Sequence, residues 1–188
     1  YNKNADNFAK TTINVDFYET QNRFSTLLPE HGYILDFGCG SGRDTKYFLE
    51  QGFYVDATDG SEEMCHIASN YTGIQVRRLL FEELDENKKY EGIWACSSIL
   101  HLPKNELKAV FMKMFKALKD DGIIYTSFKY GDFEGERNGR YFTDFTEKTF
   151  EEFVGEINNL QLKEEWITGD VRPGRGEEKW LNVILQKN

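Results

Sequence analysis

An apolar strand that runs directly into glycines at every second position, Tyr33-Ile34-Leu35-Asp36-Phe37-Gly38-Cys39-Gly40-Ser41-Gly42-Arg43, leaves few folds open to this chain. Glycine has no Cβ, so these three let the turn take positive φ and bring backbone against a ligand that side chains would push away. Arg43 to Glu50 then read as a helix whose partially positive N-terminal end faces the same spot, which suits a carboxylate, a ribose or a phosphate. A strand, a glycine turn and a helix in that order open an α/β unit with a parallel sheet.

The glycine spacing separates possible ligands. A dinucleotide fingerprint reads G-x-G-x-x-G, whereas here Arg43 stands at its third glycine and Gly42 comes one residue early. A second strand, Phe53 to Thr58, follows the turn glycine Gly52 and ends at Asp59, at the distance where an acidic residue meets the two hydroxyls of a ribose. Asp59 before Gly60 is otherwise a turn aspartate.

These residues resemble the class I S-adenosylmethionine-dependent methyltransferases, whose first motif is hydrophobic-hydrophobic-Asp-x-Gly-x-Gly-x-Gly and whose second strand ends in an acid. Asp36 to Gly42 and Asp59 match. Tyr90 to His101 resembles the fourth strand of that family and the loop after it, and Leu118 to Tyr125 resembles the fifth. Within the family, Gly40-Ser41-Gly42-Arg43-Asp44 and Ser127-Phe128-Lys129-Tyr130-Gly131 look most like the small bacterial tellurite-resistance-type methyltransferases. The resemblance implies a Rossmann-like three-layer sandwich with a mostly parallel seven-stranded sheet and an antiparallel C-terminal hairpin. It also implies S-adenosylmethionine as methyl donor, S-adenosylhomocysteine as product, and no metal.

Carried onto this chain, the family places Gly38 and Gly40, with Cys39, along the methionine part of the donor. Asp36 contacts the donor's amino group, and Arg43, Asp59 and Gly60 complete that wall. Similar proteins put an acid after the third strand to accept the adenine amine, but Leu80 stands there. Leu80 and Phe81 then clamp the ring, or Glu82 substitutes. Cys96 and Ser97 sit where the fourth strand opens towards the transferred methyl. His101 either accepts a proton from the acceptor, having an ordinary pKa near neutrality, or simply opens a helix before Leu102-Pro103. Ala95 stands where enzymes that attack pyrimidines through cysteine have proline, so Cys96 reads as a small buried thiol.

The 188 residues fit one methyltransferase domain over 1–188, with a helical lid at 1–30 and a substrate-side insertion at 129–145. A formal net charge of −9 argues against a broad nucleic-acid or anionic-membrane footprint and for a small acceptor. Three cysteines and three histidines show no metal-ligand spacing or Cys-x-x-Cys pair, so neither zinc nor a disulfide is expected. No apolar run reaches membrane-spanning length, and a reducing cytoplasm is the expected setting, with the chain a monomer or homodimer.

Strands are expected at Ile34–Phe37, Tyr54–Thr58, Ile74–Leu79, Gly92–Cys96, Ile123–Phe128, Leu160–Thr168 and Leu181–Gln186. Helices are expected at Pro103–Leu118, Thr146–Ile157, Asn4–Ala9 and Asp16–Leu28. Of the N-terminal residues, Tyr1, Thr12 and Tyr18 are the candidate ligand contacts. Lys129, Arg137 and Arg140 cluster near Tyr130 and Phe142, while Arg172 precedes Trp180, an arrangement that suits an acceptor carboxylate or phosphate. Singly, such arginines pair with neighbouring glutamates. Two other readings stand beside a transferase: a nicotinamide-dependent oxidoreductase, which shares the sheet and the ribose acid, and a donor-binding module without chemistry.

Overall fold

The computed structural model of the chain describes residue 7 and residues 9–188. Its strands are β1 (Tyr33–Phe37), β2 (Tyr54–Asp59), β3 (Arg77–Arg78), β4 (Tyr90–Ala95), β5 (Leu118–Lys129), β6 (Glu134–Arg137), β7 (Arg140–Thr143), β8 (Leu160–Gly169) and β9 (Lys179–Lys187). The helices are α1 (Tyr18–Ser25), α2 (Arg43–Glu50), α3 (Glu62–Thr72), α4 (Lys104–Ala117) and α5 (Glu147–Gly155). Seven strands form one sheet in the order β3-β2-β1-β4-β5-β9-β8, and β6 pairs with β7 in a separate hairpin. Strands β1 to β5 run parallel, and β9 lies antiparallel between β5 and β8. This is the expected Rossmann-like arrangement with its C-terminal hairpin.

Period-two alternation sends the two faces of each central strand into different layers. Leu35, Phe37, Ile93, Ile124 and Val183 pack with Leu107, Phe111 and Met114 of α4 and with Phe150 and Phe153 of α5. Ile34, Trp94, Tyr125 and Ile184 face the other way, onto Phe24 of α1 and Phe48 of α2. Because the helix after β1 and the helix after β4 cover opposite faces, a crevice opens at the C-terminal ends of these adjacent strands, where ligands of open α/β sheets bind.

Three expectations are corrected. The third strand shrinks from Ile74–Leu79 to Arg77–Arg78, because the amides of Ile74 and Val76 are taken by Thr72 and Ser69 of α3 and only the edge pairing with Thr58 and Asp59 remains. Helix α4 ends at Ala117 because Leu118 already lies opposite Tyr90 in the sheet. The substrate-side insertion over 129–145, where no strand is expected, folds into the β6–β7 hairpin around Asn138 and Gly139, both at positive φ. Tyr1, and most of the helix expected at Asn4–Ala9, lie outside the described residues.

Helix α1 is core rather than cover. Phe24 is fully buried, with its ring 5.2 Å from Trp94 and 5.7 Å from Phe48, and Gln21 donates to Asp44 at 2.7 Å. Phe24→Ala is expected to cost roughly 3–5 kcal/mol in urea denaturation. A loss below about 1 kcal/mol would make α1 a detachable cover instead.

Candidate functional site

The glycine turn is built by pinning backbone to backbone. The amides of Gly38 and Cys39 both donate to the Thr58 carbonyl, at 2.9 and 2.8 Å, and the Gly42 amide donates to the Cys39 carbonyl at 3.0 Å. The Gly40 amide donates to the Asp59 carboxylate at 2.9 Å. The amides of Gly38, Cys39, Gly40 and Gly42 are thus spent inside the protein. Gly38 sits at φ +84°, and a Cβ there would lie 2.5 Å from the Cβ of Ser98.

Asp59 caps the turn before Gly60, one oxygen accepting from Gly40 and the other from the Ser61 amide at 2.9 Å. Each oxygen keeps a further lone pair, and the residue lines the cavity. Burial raises its pKa, against the two amide bonds.

Asp36 does not line the cavity. It is buried under the start of α2 and accepts from the Thr45 hydroxyl at 2.5 Å. Burial first, and then the nearby charge of Asp44, push its pKa well above the usual carboxylate range. The charged carboxylate at this end is Asp44, which accepts twice from Arg43, from Trp94 at 2.9 Å and from Gln21 at 2.7 Å. Despite complete burial, the Arg43 charge and these bonds hold its pKa below the ordinary value. Arg43 also stacks on Phe17, 4.6 Å from the ring centroid.

One cavity of about 970 Å³ runs from the glycine loop to the β8–β9 turn. Its donor end is lined by Gly38, Cys39, Gly40, Arg43, Asp59, Gly60, Phe81, Cys96 and Ser97. Leu80 does not reach it and backs Gly60 instead, with Cδ2 3.3 Å from where a Cβ on that glycine would stand. Thr12 reaches the cavity and meets Ser41 at 3.2 Å, whereas Tyr18 stays outside, exposed against Tyr47. Cys96 is a half-buried thiol whose pKa the desolvation of its sulfur pushes up to about 12, so it is no thiolate.

At the middle of the cavity, Ser97 holds φ +50° and its amide donates to the Ser127 hydroxyl at 2.9 Å. His101 lines the same space. Its Nδ1 is 2.8 Å from the Tyr141 carbonyl, which can only accept, so Nδ1 carries the proton and Nε2 keeps its lone pair. Burial, joined by the charges of Arg140 and Lys129, lowers the imidazole pKa against that bond. His101 is therefore neutral at pH 7, and the β6–β7 hairpin sets its tautomer. Thr143 fastens that hairpin by donating to the Leu102 carbonyl at 2.7 Å.

At the far end stand Lys129, Arg137, Arg140, Phe142, Arg172, Arg175 and Trp180. Most of the cations are paired. Arg137 donates to Asp144 at 2.7 Å, Arg172 donates to Asp170 through Nε at 2.9 Å, and Lys129 and Arg175 share Glu178. Tyr130 turns away to Glu147 and borders a smaller neighbouring cavity. Arg172 is thus a structural clasp: its backbone, its guanidinium and Trp180 all donate to Asp170.

Those bonds outweigh burial and hold Asp170 down to a pKa of about 2. Being depressed in the fold, this carboxylate contributes stability above the unfolded pKa of about 4 and loses it as pH falls towards about 2. Asp170→Asn is therefore expected to lower stability at pH 7, with the gap to wild type closing between about pH 4 and pH 2. A gap unchanged across that range in pH-dependent denaturation would show that the clasp is not ionic.

The sequence reading passed over Asp44, Ser98, Ser127, Thr168 and Asn182, all of which line the cavity. Ser127 and Thr168 stood at the ends of expected strands, which is the signal that could have found them.

A family model described as a methyltransferase domain matches residues 34–122. A Bacillus subtilis (strain 168) protein that carries a provisional methyltransferase name, YqeM, is 33% identical over 116 residues, covering 56% of this chain. The chain spans about half of that relative's length, 47%. The fold matches the Burkholderia thailandensis 1,6-didemethyltoxoflavin-N1-methyltransferase, solved with 1,6-didemethyltoxoflavin and S-adenosylhomocysteine bound, with a TM-score of 0.79 and 24% identity over 100% of this chain and 84% of that one. It also matches a TehB-like S-adenosylmethionine-dependent methyltransferase from Corynebacterium glutamicum, with a TM-score of 0.72 and 20% identity over 99% of each chain.

Proposed function

We infer that this chain, whose residues 34–122 match a methyltransferase-domain model, is a class I S-adenosylmethionine-dependent methyltransferase that transfers the donor's methyl group to a small-molecule acceptor. The observation that carries this reading is the continuity of the cavity, in which the glycine loop and Asp59 share one space with His101, Ser127 and the aromatic far end. Its volume of about 970 Å³ stands at the top of the range for small-molecule sites, which leaves room for donor and acceptor together.

The residues fit the donor. The free lone pairs of Asp59 suit two ribose hydroxyls, and Phe81 with Gly60 provides an apolar slot for adenine. Bound there, S-adenosylmethionine supplies a methyl group activated by its sulfonium. The protein aligns the acceptor's nucleophile for in-line displacement and keeps water out. His101 Nε2 takes the proton that a neutral O–H or N–H nucleophile must lose. The Burkholderia enzyme, which holds a small-molecule substrate beside S-adenosylhomocysteine, supports an acceptor of that size.

Incubating the protein with methyl-labelled S-adenosylmethionine and a metabolite extract tests the reading. Label on a small-molecule fraction, absent with Asp59→Ala, is expected. Donor binding without transfer to any extract component would leave a donor-binding module.

A further inference from the structure

Every cation at the acceptor end of the cavity has an acidic partner in the protein, with Arg140 as the exception among the described residues. Arg137 belongs to Asp144, Arg172 to Asp170, and Lys129 and Arg175 to Glu178. Arg140 follows the tip of the β6–β7 hairpin, lines the cavity, and lies near enough to His101 for its charge to disfavour protonation of the ring. The hairpin holds both in one frame, since the Tyr141 carbonyl next to Arg140 is the group that fixes His101. Two flat apolar surfaces complete this end. The Phe142 ring lies 4.6 Å from the His101 ring, and Trp180 is held by its Nε1–H bond to Asp170 at 3.1 Å.

We propose that the methyl acceptor is a carboxylic acid with a flat apolar body, its carboxylate paired with Arg140 and its protonated nucleophile directed at Nε2 of His101. This deepens the methyltransferase reading and rests on it. A carboxylate fits better than a phosphate dianion, because one guanidinium is unpaired there while its neighbours are already matched by acids. The separation between the acceptor's two groups is then set by the stretch from Arg140 to His101, so position on the ring decides which acids react. Methyl transfer moves the nucleophile's proton to Nε2, while the carboxylate keeps its charge throughout.

The experiment titrates benzoate into the protein saturated with S-adenosylhomocysteine, at constant ionic strength, and follows the Arg140 Nε–H and His101 ring signals by NMR. The expected result is a saturable shift of both, with benzamide binding at least about tenfold more weakly because it lacks the charge-assisted bond. Arg140→Gln should abolish that preference and Arg175→Gln should keep it. Absence of saturation at tens of millimolar benzoate, equal binding of benzamide, or equal loss in Arg175→Gln overturns the proposal. Phenyl phosphate binding more than tenfold tighter than benzoate overturns the carboxylate assignment. Failure of S-adenosylhomocysteine to bind would instead sink the methyltransferase reading, and the titration of the unloaded protein still decides for or against Arg140.

Discussion

Replacing His101 with glutamine is expected to lower kcat by roughly 10²–10⁴-fold on the acceptor found by labelled transfer, while donor affinity stays within about twofold. The reason is geometric. The Tyr141 carbonyl holds the proton on Nδ1, so Nε2 presents its lone pair to the cavity as a neutral base. Glutamine can still donate to that carbonyl but has no base to offer. The pH profile adds a second readout, because burial and the charges of Arg140 and Lys129 keep the imidazole pKa below its usual range. The wild-type rate should be flat through neutral pH and fall only below the ordinary imidazole range, and the variant should lose that limb. A loss under threefold with the limb intact would make His101 a structural opening to the helix.

Gly38→Ala should be the most damaging small substitution in the chain. A left-handed conformation costs a non-glycine residue roughly 1–2 kcal/mol, and the new Cβ would stand 2.5 Å from the Cβ of Ser98. Ser98 cannot retreat freely, since its hydroxyl donates to the Phe37 carbonyl at 2.7 Å. The loop must therefore move at the point where donor is expected, and both stability and affinity should fall, the latter by more than tenfold. Gly139→Ala is the matched control: φ is +74° there, but nothing lies within 4 Å of the added Cβ, so it carries strain without collision. Equal losses in the two variants, by denaturation and by S-adenosylhomocysteine titration, would refute the close-approach account.

How much could be read in advance follows the range of the interactions. The central sheet was legible because buried parallel strands are continuous apolar runs, and Tyr33–Phe37 and Tyr54–Asp59 stand in the structure almost as read. The edge strand at Arg77–Arg78 was overread, because what shortened it is a pair of hydroxyls on α3 that periodicity does not report. In the site, Asp59 and the glycines were legible as local turn chemistry. The burial of Asp36 and the charged, fully bonded state of Asp44 were not, since the bonds to Asp44 depend on Trp94 and Gln21 arriving from distant segments. The arginines were the hardest case. Sequence proximity grouped Arg137, Arg140 and Arg172, and only the folded partners Asp144 and Asp170 separate two clasps from the residue that faces the cavity unpaired.

Calorimetric titration with S-adenosylhomocysteine, on wild type and on Asp59→Ala, tests the central claim most directly. Saturable binding to the wild type is expected, weakened about 10²-fold or more by the substitution, because two hydrogen bonds to a charged group are removed. No binding to well-folded wild-type protein at millimolar ligand, or equal affinity in both, would contradict the donor site assigned here.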